Sequence, residues 1–395
     1  MKVLIVFGTR PEIIKLAPVI HKLKDKIEVK IVRTWQHQEL AKDVIKFFKL
    51  KPDYNVHYML KITEGKNTEE TVSGDLKNII KKEEPDLIIV QGDTRTTYTT
   101  AFIGFLLKKP ILHLEAGLRT YNKFSPFPEE IFRGLVSRIA DFHFAPTQKA
   151  YDNLVNEGIH KDRIFISGNT IVDATQIALS LLDEKKVFNE LIPYRHNIKE
   201  LIKKKKVVLI TSHRRENIGN PLKQICKAVI SLSKQYPETL FLWSLHKNPE
   251  VRKIVLNEMK RKKENIILTE SLSYPTMIFL IKKSHIILTD SGGIQEETTS
   301  LNKPVLVLRE QTERPEVMEN GMGSLVGTDE QKIIKTFSSL SKNSNFHKKN
   351  SPGKNPFGDG KTSDRILKFL QLKEIKEFLK KYPESSDKKL KIGEL

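Results

Sequence analysis

The sequence predicts an α/β protein made of two Rossmann-like parallel-sheet halves that face a cleft. Three observations carry that expectation. Short apolar runs rich in β-branched residues, such as Leu87–Val90, Val207–Ile210 and Pro304–Leu308, suit strands buried on both faces. They alternate with stretches of helical period nearly from end to end, which calls for right-handed βαβ crossovers and parallel sheets. Polar residues gather just after the apolar runs, where such folds collect their chemistry.

A first series of strands is expected at Val3–Phe7, Val29–Thr34, Leu87–Val90, Ile111–Leu114, Phe142–Ala145 and Ile164–Ser167. A second runs through Val207–Thr211, Leu240–Leu245, Ile266–Thr269, Ile286–Thr289, Val305–Leu308 and Ser324–Gly327. Between them Ser180–Lys206 is polar and helical in period, contains Pro193, ends in a lysine run, and reads as the junction. The expected division is an N-terminal half over 1–170 and a C-terminal half over 171–359. Gln371–Leu395 is charged and poor in apolar positions, so it reads as an exposed helix followed by a frayed, charged tail over 383–395.

The chain's 395 residues suffice for two or three domains. The formal charge of +20 admits two readings: binding to nucleic acid or an anionic membrane, or a lysine-rich surface around an anionic small-molecule substrate. The lysines are spread over many helices and no basic stretch is interleaved with aromatics, which favours the second. No nucleic-acid partner is expected. No apolar run is long enough to span a bilayer, so no membrane partner is expected either. MKVLIVFGTRPE does not read as a signal peptide. The single cysteine, Cys226, rules out an internal disulfide and suits a reducing, cytoplasmic location. Metal-ligand spacing is lacking, as are a GKS/T phosphate loop, GxGxxG and GxSxG, so no metal and no cofactor is expected.

The strand ends are unusually polar. Ile286–Leu288 runs into Asp290-Ser291-Gly292-Gly293 and then a helix expected to carry Glu296 and Glu297 in its first turn. Glycines let backbone amides approach a ligand closely, and a helix N-terminus suits phosphate. A carboxylate one turn in can take the hydroxyl pair of a ribose. The alternative is a strand-to-helix turn with glycine for geometry. The first strand ends in Gly8-Thr9-Arg10-Pro11-Glu12, and Arg10 and Lys15 can reach one anion. A capped helix with solvated cations is the other reading.

Asp93, in Gln91-Gly92-Asp93-Thr94, Glu115, in His113–Arg119, and Glu129, in Ser125–Glu130, lie at or beyond strand ends of the first half. Carboxylates sharing a pocket can divide acid and base roles. Their structural alternatives are a cap for Asp93, a salt bridge from Glu115 to Arg119, and a helix-dipole carboxylate for Glu129. In the second half Thr211–Asn217 places His213 and two arginines after a strand, an anion clamp with an acid that titrates near neutrality. Arg314, in Arg309–Glu316, can contact a phosphate or sugar, or pair with a neighbouring glutamate.

Taken in order, GTRPEIIKLAPVI, QHQEL, GDTRTT, HLEAGLRT, SPFPEE, HFAPT, GNTIVDA, SHRREN, LTDSGGIQEE, TERPE and NPFGDG resemble the non-hydrolysing UDP-N-acetylglucosamine 2-epimerase family, from the N-terminus to about Leu370. The resemblance implies a glycogen phosphorylase/GT-B-like fold, with a C-terminal helix at about 360–382 crossing back to the first domain. It implies an isomerase that interconverts UDP-GlcNAc and UDP-ManNAc at the sugar C2 by eliminating UDP to 2-acetamidoglucal and adding it back. It also implies a homodimer and a supply of ManNAc or ManNAcA for surface polysaccharide.

Carried over by position, Arg10, Lys15, Asp93, Glu115 and His213 match substrate contacts. Ser291, Gly292 and Gly293 match the diphosphate loop, Glu297 the ribose carboxylate, and Arg314 a further contact. Asp93, Glu115 and Glu129 match acids of proton transfer, with His213 beside them as a catalytic candidate. Gln36 and His37 match an element that binds UDP-GlcNAc as an activator in bacterial members, where an arginine of the family falls at Glu70. The chain departs at Met277, a phenylalanine in many members, and at Phe132, where the family has asparagine. A hydrolysing epimerase and a GT-B glycosyltransferase are the competing readings.

Overall fold

A computed structural model gives the structure and describes residues 1–34, 38–56, 68–342, 355–390 and 392. The chain divides into two compact units, the described residues of Met1–Ala174 with Phe357–Leu395, and those of Thr175–Pro356. The division falls inside the helix Thr170–Ser180. The polar stretch expected to be the junction folds instead as part of the second unit. Its helices Glu184–Leu191 and Ile198–Lys204 bury Val187, Leu191 and Ile198. Glu190 accepts from the Ser273 amide at 2.8 Å and the Ser273 hydroxyl at 2.6 Å, capping the helix Tyr274–Lys283. Among the described residues no helix is long and apolar enough to cross a membrane.

The first unit holds an all-parallel sheet of β1 (Lys2–Phe7), β2 (Glu28–Thr34), β3 (Tyr54–Val56), β4 (Leu87–Gln91), β5 (Ile111–Leu114), β6 (Phe142–Ala145) and β7 (Ile164–Ile166), in the order β3-β2-β1-β4-β5-β6-β7. β1 is flanked on both sides, Val3 lying opposite Val29 of β2 and Leu87 of β4. The chain therefore leaves β1 and β4 in opposite directions, the switch point at which such sheets bind ligands. β3 is the strand the sequence reading omits. Three residues with a polar centre carry no periodic signal.

One sheet face packs Leu4, Val6, Val32, Ile88 and Val90 against helices. On β6 and β7, Phe142, Phe144 and Phe165 surround Phe369 of the helix Thr362–Gln371 at centroid distances of 5.1, 5.1 and 4.8 Å. That helix lies against Arg10–Lys24. Its N-terminus is capped by the buried Asp173, whose Oδ1 accepts from the Ser363 amide at 2.9 Å and hydroxyl at 2.6 Å.

The described residues after Gln371, expected as an exposed helix and then a frayed tail over 383–395, pack against the first unit. The helix Lys373–Lys380 buries Ile375 and Phe378. The Phe378 ring meets Phe142 edge-on at 5.1 Å, and the Arg163 guanidinium lies 4.6 Å from the Phe378 centroid. Arg163 Nη2 donates to the carbonyls of Ser386 and Lys388, both at 2.8 Å. Two apolar side chains and one arginine are enough to hold a segment whose composition reads as a tail.

The second unit holds β8 (Lys206–Thr211), β9 (Thr239–Ser244), β10 (Ile266–Thr269), β11 (Ser284–Thr289), β12 (Val305–Val307) and β13 (Gly323–Leu325), all parallel, in the order β10-β9-β8-β11-β12-β13. Its core packs Val208, Ile210, Phe241, Trp243, Ile286 and Leu288 with the helix Asn220–Gln235. Here the switch point lies between β8 and β11. The fold class read from the sequence is thus the observed one: two parallel-sheet α/β domains.

Two predictions follow from packing in the first unit. Phe378→Ala should destabilise that unit by about 3 kcal/mol, as large-to-small changes of buried phenylalanines do. Urea denaturation checks it, and an unchanged midpoint would mean that the segment is not packed.

The second concerns His113 and His143, register partners on β5 and β6 and both 1% exposed. Burial lowers His113 to about 4 and His143 to about 3. In the unfolded chain histidine titrates near 6.5, so below that pH the unfolded state takes up protons the folded state refuses. The stability is complete above pH ~6.5 and drains away toward 4 and then 3, by roughly 3 kcal/mol for His113 alone. His113→Gln should flatten the dependence between pH 6 and 4.5, read by chemical denaturation across pH; an equal slope in the variant removes this account.

Candidate active site

In the first unit the site grows from the ends of β1, β4 and β5. Thr9 caps the helix Arg10–Lys24, with Pro11 in its first turn and Glu12 completing a capping box. Glu12 does more than cap. Its Oε2 accepts from the amides of Gly8 at 3.1 Å and Thr9 at 2.7 Å, and its Oε1 from the hydroxyls of Thr94 at 2.7 Å and Thr97 at 3.2 Å. One buried carboxylate thereby ties the loop after β1 to the loop after β4. Burial raises its pKa, and those hydroxyls and amides offset part of the cost.

Lys15, one turn along the same helix, forms a buried ion pair with Glu115 Oε2, which also accepts from Gln91 Nε2 at 2.6 Å. Glu115 has φ +62°, a left-handed backbone that costs a non-glycine residue on the order of 1 kcal/mol. The turn persists because Gly117, at φ +88°, passes close to Ala150: a Cβ there would lie 2.1 Å from the Ala150 carbonyl oxygen. The structure thus holds the Glu115 carboxylate at the end of β5 in a conformation that local propensity disfavours.

Asp93, after β4, is gripped by Arg133: Nε and Nη2 both donate to Oδ2, at 2.8 and 2.6 Å. Arg133 Nη1 donates to Glu130 Oε2 at 2.9 Å, and Glu130 Oε1 accepts the amides of Thr120 and Tyr121 at 2.9 and 2.8 Å. Arg133 is buried, while the Asp93 side chain keeps 26% exposure, so the carboxylate is oriented and still reachable. His113 Nε2–H donates to the Gly92 carbonyl at 2.7 Å and fixes the peptide before Asp93. Glu129, half-buried, opens the helix Glu129–Ile139. Half-buried Arg10 starts its own helix. The salt bridge weighed for Glu115 and Arg119 is not how Arg119 is used. Its Nε and Nη2 pair with Glu157 at 2.7 and 2.8 Å. Thr94, not Asp93, caps the helix Arg95–Leu106.

In the second unit the site grows from the ends of β8 and β11. Asp290 is fully buried. Its carboxylate accepts from the Ser212 hydroxyl at 2.8 Å, the His213 amide at 2.9 Å, the Arg214 amide at 3.0 Å and Asn217 Nδ2 at 2.9 Å. Burial works to raise its pKa, but His213 and those donors win, and the net direction is down. His213 Nδ1 lies 3.4 Å from Asp290 Oδ1, and its ring stacks on His246 at 5.0 Å. Protein crowding around the imidazole lowers its pKa against the opposing pull of Asp290.

Ser291 is the N-cap of the helix Gly292–Ser300, and its hydroxyl makes no cap hydrogen bond. Glu296 and Glu297 fall in the second turn, not the first as expected, because the helix begins at Gly292. Both are buried. Gly292 has a role the sequence does not show. A Cβ there would lie 2.4 Å from Arg314 Nη1, so the missing side chain lets that guanidinium lie on the start of the helix. Arg314 Nε donates to Glu296 Oε1 at 2.6 Å and Nη1 to Glu313 Oε1 at 2.5 Å. Arg309 Nη1 holds the other Glu313 oxygen at 2.7 Å. Around Gly293 a Cβ would meet no described atom within 4 Å outside the helix's own backbone and the chain neighbours, and the amides of the first turn have no intrahelical acceptor. A helix start of this kind suits an anion.

Gln36 and His37 lie outside the described residues, as does the side chain of Glu70. Met277 is buried in the helix Tyr274–Lys283. The sequence reading did not single out Glu12, Arg133 or Asp290 as site residues, although all three fix site loops. Only Glu12 announces itself, through the T-x-x-E capping pattern.

The family model for UDP-N-acetylglucosamine 2-epimerase matches residues 21–371. A UDP-N-acetylglucosamine 2-epimerase of Neisseria meningitidis is 41% identical over 94% of this chain and 99% of its own length. One from Escherichia coli K12 is 40% identical over 94% and 98%. The N. meningitidis enzyme solved with UDP-GlcNAc superposes with a TM-score of 0.82, at 40% identity, over 94% of this chain and 99% of that one. A Methanocaldococcus jannaschii enzyme in complex with UDP-GlcNAc and UDP gives 0.77 at 35% identity, over 94% and 99%. With two parallel-sheet domains and this matched span, the chain belongs to the UDP-N-acetylglucosamine 2-epimerase family of isomerases.

Proposed function

We propose that the protein interconverts UDP-GlcNAc and UDP-ManNAc at the sugar C2 by elimination and re-addition of UDP. The observation that supports it most is that Asp93 and Glu115, at the ends of neighbouring strands, are each held by a cation of their own, Arg133 and Lys15. A C2 proton is too weakly acidic for simple removal. Elimination solves this: the C2–H proton goes to a carboxylate and the C1–O bond breaks with its electron pair leaving on UDP. A C1=C2 double bond forms, giving 2-acetamidoglucal. Reversal adds the UDP oxygen back to C1 while a proton reaches the opposite face of C2.

Asp93, Glu115 and Glu129 are the acids of this reading, and His213 is a further proton carrier near the leaving group. The start of the helix Gly292–Ser300, with Ser291, Gly292, Gly293 and Arg314, takes the diphosphate, whose charge grows as the bond breaks. Arg10 and Lys15 add positive charge, and Glu297 takes the ribose. The reading also requires that water be kept from the glucal while it is bound. We place the enzyme in the cytoplasm as a homodimer whose product feeds surface polysaccharide.

In deuterated water, incubation with UDP-GlcNAc should place deuterium at C2 of both epimers with little net UDP; stoichiometric UDP and free ManNAc would mean a hydrolysing enzyme. Asp93→Asn and Glu115→Gln should each lower turnover by about 100-fold or more while UDP still binds, read by exchange rate and calorimetry. Wild-type exchange in either variant would strike that residue from the mechanism.

The two glycines separate by the same titration. Gly293→Ala should fold normally and weaken UDP about tenfold through the approach it blocks, whereas Gly292→Ala should also lower the unfolding midpoint by displacing Arg314. Equal UDP affinity in Gly293→Ala would remove the amide contact.

A further inference from the structure

We propose that a second copy of this chain packs on the outer face of the helices Arg95–Leu106 and Glu129–Ile139, and that the contact braces the grip of Arg133 on Asp93. This rests on the homodimer proposed above. Eight of the thirteen exposed large apolar side chains among the described residues fall between 102 and 135. One exposed leucine or phenylalanine is ordinary, whereas a concentration of them marks a contact face.

The two helices lie side by side and bury Ile103 and Val136 in one core with Ile88 and Val90 of β4. Helices that cover a sheet ordinarily present polar residues to water. These present Phe102, Phe105 and Leu106 on the first helix, and Ile131 and Leu135 on the second. Tyr98 joins the two rows, its ring stacked on Phe102 at 6.0 Å and on Phe132 at 5.2 Å. Just before the second helix stand two more exposed rings, Phe124 and Phe127, 6.3 Å apart.

The seven exposed side chains on the helices and before them keep between 42% and 69% of their surface in water. At roughly 150–250 Å² for a whole aromatic side chain, that is on the order of 700 Å² of apolar surface. The largest patch on a typical monomer is about 300–600 Å², and a stable dimer takes about 800 Å² from each partner. The centre of the face is also free of charge. The first helix has no charged residue after Arg95, and between Glu130 and Arg138 the second has only Arg133, which is buried on Asp93. An apolar centre with charges at its ends is the composition of a homodimer contact, and it can meet its own copy across a two-fold axis.

Gly134 adds an independent observation. It lies midway along the second helix, where glycine is a poor helix former. A Cβ there would meet no atom within 4 Å outside the helix's own backbone and the chain neighbours. Nothing within the chain requires the side chain to be missing, while a second backbone approaching this face does.

The outer rows are the backs of site residues. Ile131 and Phe132 precede Arg133, whose Nε and Nη2 hold Asp93 Oδ2 at 2.8 and 2.6 Å. Tyr98 follows Thr97, whose hydroxyl donates to Glu12 Oε1 at 3.2 Å. A partner that pins these helices holds the Asp93 carboxylate in place through Arg133.

The test is analytical sedimentation of the full chain at micromolar concentration. The wild type should sediment as two copies. Phe102→Glu with Leu135→Glu, both at exposed positions, should raise the dissociation constant by about 100-fold or more. Gly134→Gln should raise it by about tenfold or more while its urea midpoint stays at or above that of the wild type, since glutamine is the better helix former. Turnover of the monomeric variants should fall by about tenfold or more, with the calorimetric affinity for UDP unchanged. If the wild type sediments as a single chain, the homodimer reading falls together with this face. If the wild type pairs and the double variant pairs equally well, the homodimer stands and this face is wrong. A monomeric variant with wild-type turnover removes the brace on Asp93.

Discussion

The strand-end loops of the second unit depend on one buried carboxylate. Asp290 ends β11, yet most of its hydrogen bonds go to the loop after β8, which is 73 to 78 residues earlier in the chain. Adjacent strands diverge at a switch point, so their end loops have no backbone ladder to join them. A charge taken out of water must be met by donors, or it costs several kcal/mol. Ser212, His213, Arg214 and Asn217 meet it and are fixed in return. Glu12 performs the same task between β1 and β4 in the first unit, with two amides and the hydroxyls of Thr94 and Thr97. Each sheet thus secures its strand-end loops with a buried anion.

The two strand-end clusters differ in what those anchored loops present. In the first unit the exposed product is a carboxylate: Asp93 turns toward solvent behind a buried arginine, and Glu115 rests on Lys15. In the second unit it is a set of donors: the first-turn amides of the helix Gly292–Ser300, and a guanidinium laid over Gly292. An elimination needs both, since a proton acceptor without a site for the departing charge gives no leaving group. The division of labour is written in which residue is buried. In the first unit the cation Arg133 is deeper than its acid, and in the second Glu296, Glu313 and Arg314 are buried together.

Much of this was legible in the sequence, for physical reasons. Strands buried on both faces spell continuous apolar runs, so the two sheets could be read nearly strand by strand. β3 escaped because three residues at a sheet edge need no pattern. The strand-end strings pointed to Asp93, Glu115, His213 and the Gly292–Gly293 pair because turns and anion sites draw on a small set of residues. What stayed hidden was long-range pairing. Nothing near Gly292 says that its hydrogen faces Arg314, and nothing near Arg163 says that Phe378 covers it. The charged C-terminal segment misled for the same reason: its composition reports solvent exposure on average, while two well-placed apolar side chains decide whether it docks.

The arginines of the second unit suit the elimination proposed above. Arg214, Arg309 and Arg314 stand among Glu216, Glu296 and Glu313, with Arg314 bonded to Glu296 and Glu313, and Arg309 to Glu313. Such a cluster is close to balanced, so it exerts little long-range pull on a diphosphate already carrying its charge. Its guanidiniums are nevertheless locked in position by the glutamates. In the proposed elimination, charge that develops at the bridging oxygen as C1–O breaks would meet donors held in place beforehand, which lowers the reorganisation the step requires. A looser set of lysines would bind the intact substrate as strongly as the departing UDP, and uniform binding of that kind does not lower the barrier.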